Sequence, residues 1–236
     1  MRQQLLGDGL PQRTGYVAFR AIAAQALLPE PLRSRQVTVW LGPHMHVVHY
    51  PVRSGEWLNV VVIVRGELPG EADPWNHGVS ASDLDDLGRV LAGSCRALRD
   101  LLQALGGWQR WALHDRPPMQ GAHQHAVGRV ALLGDAAHPM LPFLAQGAGM
   151  AIEDAAELGR VLGQALDPVF DVPLVLQRYA LNRWQRNARV QARALRNGQI
   201  FHAGGLLRWG RDASLKLLGE RLLDMPWLYG APSGAS

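Results

Sequence analysis

Two groups of residues in this chain have types and spacings that suit chemistry. In "RVALLGD", residues 129–135, an apolar run ends on Gly134 and Asp135. A carboxylate at the carboxyl end of a strand stands where open α/β sheets bind ligands, and it can accept hydrogen bonds from a polyol. Farther on, "QGAGMAIEDA" predicts a helix start at Gly147, Ala148, Gly149 and Met150. The missing side chains at Gly147 and Gly149 leave the first backbone N–H groups open to a ligand carrying negative charge, and Glu153, Asp154 and Glu157 are expected to complement the helix dipole. The second group lies in "HMHVVHYPVR", residues 44–53, where strand alternation puts His44, His46, Val48 and Tyr50 on one face. With an ordinary pKa of about 6.5, His46 is suited to acid–base work, and Tyr50 shares its face. The pairs His44/His46 and His123/His125 also have metal-ligand spacing, but no third ligand follows at a convincing interval, so no metal is expected.

The elements that must position these residues can be read from pattern. Segments 15–23, 36–42, 46–53 and 57–65 alternate like strands of a largely antiparallel sheet, with "GPHM" as a hairpin turn in which Gly42 takes positive φ. Helices are expected at 82–91, capped by Ser82, and at 95–105, stopped by Gly106 and Gly107. A short strand follows within "WQRWALHDRPPM". Further helices are expected from Gly147 to about residue 162, from Pro173 to Phe201, and over 208–223. The strand at 129–134 is apolar on both faces and asks for parallel neighbours, yet nothing before it alternates strand with long helix. The fold class is therefore α+β: an antiparallel sheet with helices, the last strand and helix of an incomplete α/β domain, and a C-terminal helical segment. The corresponding divisions are 1–125, 126–170 and 171–236.

Composition narrows the function. With 236 residues, 47% of them hydrophobic, the chain can bury a real core. It has neither a run long enough for a membrane span nor a secretory signal pattern, so no membrane association and a cytoplasmic location are expected. Cys95 is the only cysteine, which excludes an internal disulfide and a thiolate-rich metal site. Six arginines from Arg178 to Arg196 stand without an intervening acid. They predict a helix whose guanidiniums pair with acids elsewhere in the fold, and no nucleic-acid partner is expected.

The full phrase "GRVALLGDAAHPMLPFLAQGAGMAIEDA" closely resembles the second FAD-binding segment of flavin-dependent aromatic hydroxylases, the group that includes salicylate and 3-hydroxybenzoate hydroxylases. The segments "GYVAFRA", "VWLGP", "HYPVR", "LNVVVIV", "LHDRPP", "RYALNRWQRNARV" and "WLYG" resemble that family in the family's order. The resemblance implies that Asp135, beside Gly134, holds the ribitol of FAD. It also implies that Gly147 to Met150 point at the pyrimidine edge of the isoalloxazine, and that Pro142 brings backbone close to the oxygen-reacting carbon. His46 and Tyr50 match a histidine and tyrosine four apart that face the aromatic substrate in some members. The implied reaction is monooxygenation of a phenolic or aromatic carboxylate substrate with FAD, NAD(P)H and O2. The family's GxGxxG turn is absent from this sequence, and "MRQQLLG" resembles the region just after the family's "DG" segment. The chain is accordingly read as the C-terminal portion of such an enzyme. It is expected to bind FAD weakly or not at all alone, and to need the earlier half from another chain or to associate with its own copies.

Overall fold

The computed structural model describes residues 2–66, 77–164, 171–219 and 225–229. The end of the expected 208–223 helix and Gly230 of "WLYG" lie outside the described residues. Two compact units are present, one comprising 13–113 with 200–213, the other 1–12, 114–199 and 214–236.

The first unit is built on a six-stranded sheet. Its strands are β1 (Gln12–Ala24), β2 (Thr38–Gly42), β3 (Met45–Val52), β4 (Trp57–Arg65), the two-residue β5 (His77–Gly78) and β6 (Gln109–Asp115), in the order β2-β3-β4-β1-β6-β5. Alternation decides which side chains go inside. Met45 and Val47 of β3, the even-numbered residues from Leu58 to Val64 in β4, and Val17, Phe19 and Ala21 of β1 form one face. Helices α2 (Ala81–Leu91) and α3 (Arg96–Gln103) cover that face with Leu87, Leu91, Leu98, Leu101 and Leu102. Ser80, rather than Ser82, caps α2: its hydroxyl accepts from the Asp83 N–H, and the Asp83 carboxylate accepts from the Ser80 N–H at 2.8 Å. Asp83 can only reciprocate three residues after its cap, which decides between the two serines. In the β2–β3 hairpin the positive φ falls on His44, at 57°, and not on Gly42. Gly42 ends β2 opposite Met45, where a Cβ would lie 2.5 Å from the Met45 sulfur.

The second unit contains α1 (Arg2–Leu6), the short strands β7 (Ala126–Val127) and β8 (Val130–Ala131), α4 (Gly147–Gln164), most of α5 (Val172–Phe201), the end of α6 (Gly205–Leu218), and α7 (Pro226–Tyr229). The expected 129–134 strand is cut to two residues and pairs antiparallel with β7. Leu132 is inside, but Val130 and Leu133 are 36% and 39% exposed, because among the described residues no second strand covers the segment. Helix α6 begins three residues earlier than expected, at Gly205, whose φ of +54° suits glycine. α4 and α5 are joined by ion pairs, and Arg186 of α5 also donates to the backbone oxygens of Trp227 and Leu228 in α7. Arg189 stacks over the Trp227 ring at 4.1 Å.

Candidate flavin and substrate sites

The strand-loop-helix at 128–158 is fixed by one buried carboxylate. Asp154 of α4 accepts at Oδ2 from His138 Nε2 (2.6 Å) and the Gly134 N–H (3.0 Å), and at Oδ1 from Arg183 Nε (2.8 Å) and Asn187 Nδ2 (2.9 Å). Burial alone would raise this carboxyl, but the hydrogen bonds from His138, Asn187, Arg183 and Gly134 outweigh it and hold the pKa well below the usual carboxylate range. Gly134 sits at φ +55°, and a Cβ there would lie 3.2 Å from that of Ala151, so the turn after β8 admits glycine best. This turn leaves Asp135 exposed, directly beyond the buried Gly134. Pro142 is exposed, Gly147 and Gly149 are partly open at the start of α4, Ala148 is exposed, and Met150 is buried at 1%.

The acids of α4 do not lie in its first turn. Asp154 is the hub just described, Glu153 takes Arg183 and Arg186 at 2.7 Å, and Glu157 takes Arg160 and Asn182 at 2.6 Å. The helix start is consequently free of competing carboxylates. Its charge is used to bind α5, where the arginine run supplies the partners.

His125 comes together with His138 and Asp154 so that their possible ligand atoms lie within 4.8 Å of one another. The His123/His125 spacing gave no hint of this cluster, since the other two members lie 13 and 29 residues farther along. The Asp154 carboxylate already accepts four hydrogen bonds, one for each lone-pair site, so none remains for a cation. His125 is a buried neutral imidazole, its pKa pushed down to about 4 by burial, with Asp154 opposing that shift and His138 and Arg183 adding to it. Its ring stacks against His138 at 6.0 Å.

In the sheet unit, His46 and Tyr50 lie on the face of β3 opposite the helices. His46 is 1% exposed, and its Nδ1 is 2.7 Å from Nε2 of His202. Phe201 meets the His46 ring edge-on at 5.5 Å, and Tyr16 meets His202 at 4.9 Å. Burial, followed by His202, drives the His46 pKa down to about 3, and burial drives that of His202 to about 4. The ordinary pKa expected for His46 is therefore corrected: it is a neutral imidazole in a hydrogen-bonded pair. His202 was not singled out in the sequence, because 156 residues separate it from His46 and no local pattern marks it. Tyr50 is half-buried and lies opposite Asn59 of β4.

A family model described as an FAD binding domain matches residues 107–194, which include the strand-loop-helix and most of α5. A 3-hydroxybenzoate 6-hydroxylase of Aquipseudomonas alcaligenes is 35% identical over 239 residues, covering 98% of this chain and 69% of that protein. The chain belongs to the FAD-dependent aromatic hydroxylases. A second relative in this family, the 3-hydroxybenzoate 6-hydroxylase of Polaromonas naphthalenivorans, is 38% identical over 98% of this chain and 55% of its own length. A solved salicylate hydroxylase substrate complex superposes with a TM-score of 0.80 at 30% identity, covering 98% of this chain and 59% of that one. The chain thus spans little more than half the length of most of the hydroxylases it matches. The mixed helix and antiparallel sheet is a portion of the aromatic hydroxylase fold, and among the described residues no helix is long and apolar enough to cross a membrane.

Proposed function

We propose that this chain is the C-terminal portion of an FAD-dependent monooxygenase that hydroxylates a phenolic aromatic carboxylate with NAD(P)H and O2. The observation that carries the reading is the Gly134 turn. Asp154 accepts from the Gly134 N–H, and Ala151 lies so close that a Cβ at Gly134 would sit 3.2 Å from its own, which leaves Asp135 exposed in the turn that follows β8. A ribitol chain needs such an acceptor. The Gly147–Met150 helix start, clear of carboxylates, suits the electron-rich edge of a flavin. Bound FAD would supply the oxygen-activating chemistry. In this assignment residues 126–170 form the later wall of the FAD cleft, residues 1–125 carry the substrate sheet, and residues 171–236 form the C-terminal helical segment.

His46 and Tyr50 hold the phenol. In this proposal the phenolic hydroxyl lies toward His46, a neutral imidazole held by His202, and Tyr50 orients the ring. The relatives' names, 3-hydroxybenzoate 6-hydroxylase and salicylate hydroxylase, support a hydroxy acid as the substrate class. The earlier part of the cleft comes from a separate chain or a longer form of this one.

A flavin titration on the purified chain, followed by absorbance and fluorescence, tests the reading. FAD is expected to bind with a Kd no tighter than about 1 μM, roughly −8 kcal/mol, because this sequence contains no GxGxxG turn to cradle the pyrophosphate. Asp135→Ala should weaken that binding further. A nanomolar complex, or one indifferent to Asp135→Ala, would contradict the assignment.

A further inference from the structure

The open face of the sheet is arranged in cross-strand rows. One row, Leu41, His46, Ile63 and Ala18, is covered at its centre by Phe201 and His202. The next, Val39, Val48, Val61 and Arg20, is not covered: Val39 is 46% exposed, Val48 and Val61 are half-buried, and Arg20 is exposed. The third row sets Tyr50 opposite Asn59, and Asn59 opposite Ile22. An apolar floor therefore ends on a guanidinium. That guanidinium is held in place, since Arg20 Nε donates to Asn59 Oδ1 at 2.6 Å. Asn59 is fully buried, and its Nδ2 has no hydrogen-bond partner among the described residues. A buried amide donor left over beside an anchored arginine is the donor set that an anion completes.

We infer that Arg20, with Asn59 and Tyr50, forms the carboxylate subsite for an aromatic hydroxy acid whose ring lies on Val48 and Val61 and whose hydroxyl points toward His46. The inference rests on the substrate class proposed above and adds the residue that fixes the acid end. His46 and Arg20 are two residues apart along the strand direction and two strands apart across it, about 12 Å in the plane of the sheet, and Arg20 leans toward Asn59, away from His46, so the Val48/Val61 row lies between the two polar ends. Arg65, a second cation on this face, lies opposite Tyr16, beyond His46 on the far side from Tyr50. A carboxylate on Arg65 would reverse the ring.

Calorimetric titration of the full chain with 3-hydroxybenzoate and with its uncharged analogue 3-hydroxybenzamide separates the possibilities. The wild type is expected to prefer the acid by about 10- to 100-fold, as a charge-assisted pair gives. Arg20→Gln should erase the preference while leaving amide affinity unchanged, Arg20→Lys should restore part of it, and Arg65→Gln should leave it intact. Preference retained in Arg20→Gln, or lost in Arg65→Gln, overturns the subsite and leaves the hydroxylase reading standing. Equal affinity of the wild type for acid and amide does the same. Binding of neither compound overturns the subsite and the proposed substrate class together, whereas the flavin titration reports on the FAD assignment alone.

Discussion

Asp154 shows how a single buried side chain can organise a turn, a loop and a helix at once. Its four hydrogen bonds draw on β8's turn, the loop at His138, and α5, so that the ionised carboxylate is more stable inside this unit than in water. The buried histidines pull the other way. His46, His125 and His202 have folded pKa values near 3, 4 and 4, below the unfolded value of about 6.5, so the unfolded chain binds protons first as pH falls. Stability is then complete above about pH 6.5 and declines toward pH 4, by roughly 1–3 kcal/mol for each imidazole. Asp154 does not contribute to this decline: its folded pKa lies below the unfolded one, so its stabilisation persists above about pH 4 and disappears only in stronger acid. Thermal melts should show Tm falling steadily between pH 7 and 4.5, with a shallower fall in His125→Gln. A Tm flat across that range would show that these rings are hydrated or already protonated in the folded protein.

At the level of elements, two helical glycines have opposite roles. Gly159, on the exposed side of α4, has open space where a Cβ would go, so Gly159→Ala should stabilise by about 0.5–1 kcal/mol through helix propensity. Gly198 of α5 accepts the ring of Phe143, and a Cβ there would lie 2.6 Å from Cε2 of that buried side chain. Gly198→Ala should destabilise by about 1–3 kcal/mol despite the same propensity gain. Urea melts of the two variants check the contrast, and a stabilised Gly198→Ala would mean that Phe143 can move aside at little cost. This difference was invisible in the sequence, where both glycines interrupt a helical pattern in the same way. The four main strands and the long helices were legible because period-2 and period-3.6 patterns are local. What escaped were features decided by contact: Ser80 as cap, His44 as the left-handed turn residue, the short β8, and above all the pairing of His46 with His202. Asp135 and Gly147–Met150 could be singled out because their motif is contiguous. Arg20 and Asn59 could not, because only sheet register brings them together.

For the molecule as a whole, the informative surface is apolar. Val127, Val130, Leu133, Ile152 and Leu162, all within one unit, are between 36% and 70% exposed, the highest value being that of Ile152 in α4. Isolated exposed apolar residues are ordinary, and Ile152, the most exposed of these, is the one whose coverage by a partner can be tested. On its own, the purified chain should associate with itself increasingly over micromolar to sub-millimolar concentrations, as seen by light scattering. Ile152→Glu should suppress that association and change the melting free energy by no more than about 0.5 kcal/mol, because the side chain is mostly in water already. The same variant should fail to assemble with the N-terminal half of a homologous hydroxylase supplied as a separate chain, whereas the wild type should form a 1:1 complex and bind FAD more tightly than either part. If Ile152→Glu assembles as well as the wild type, Ile152 lies outside that contact, and its exposure has another reason.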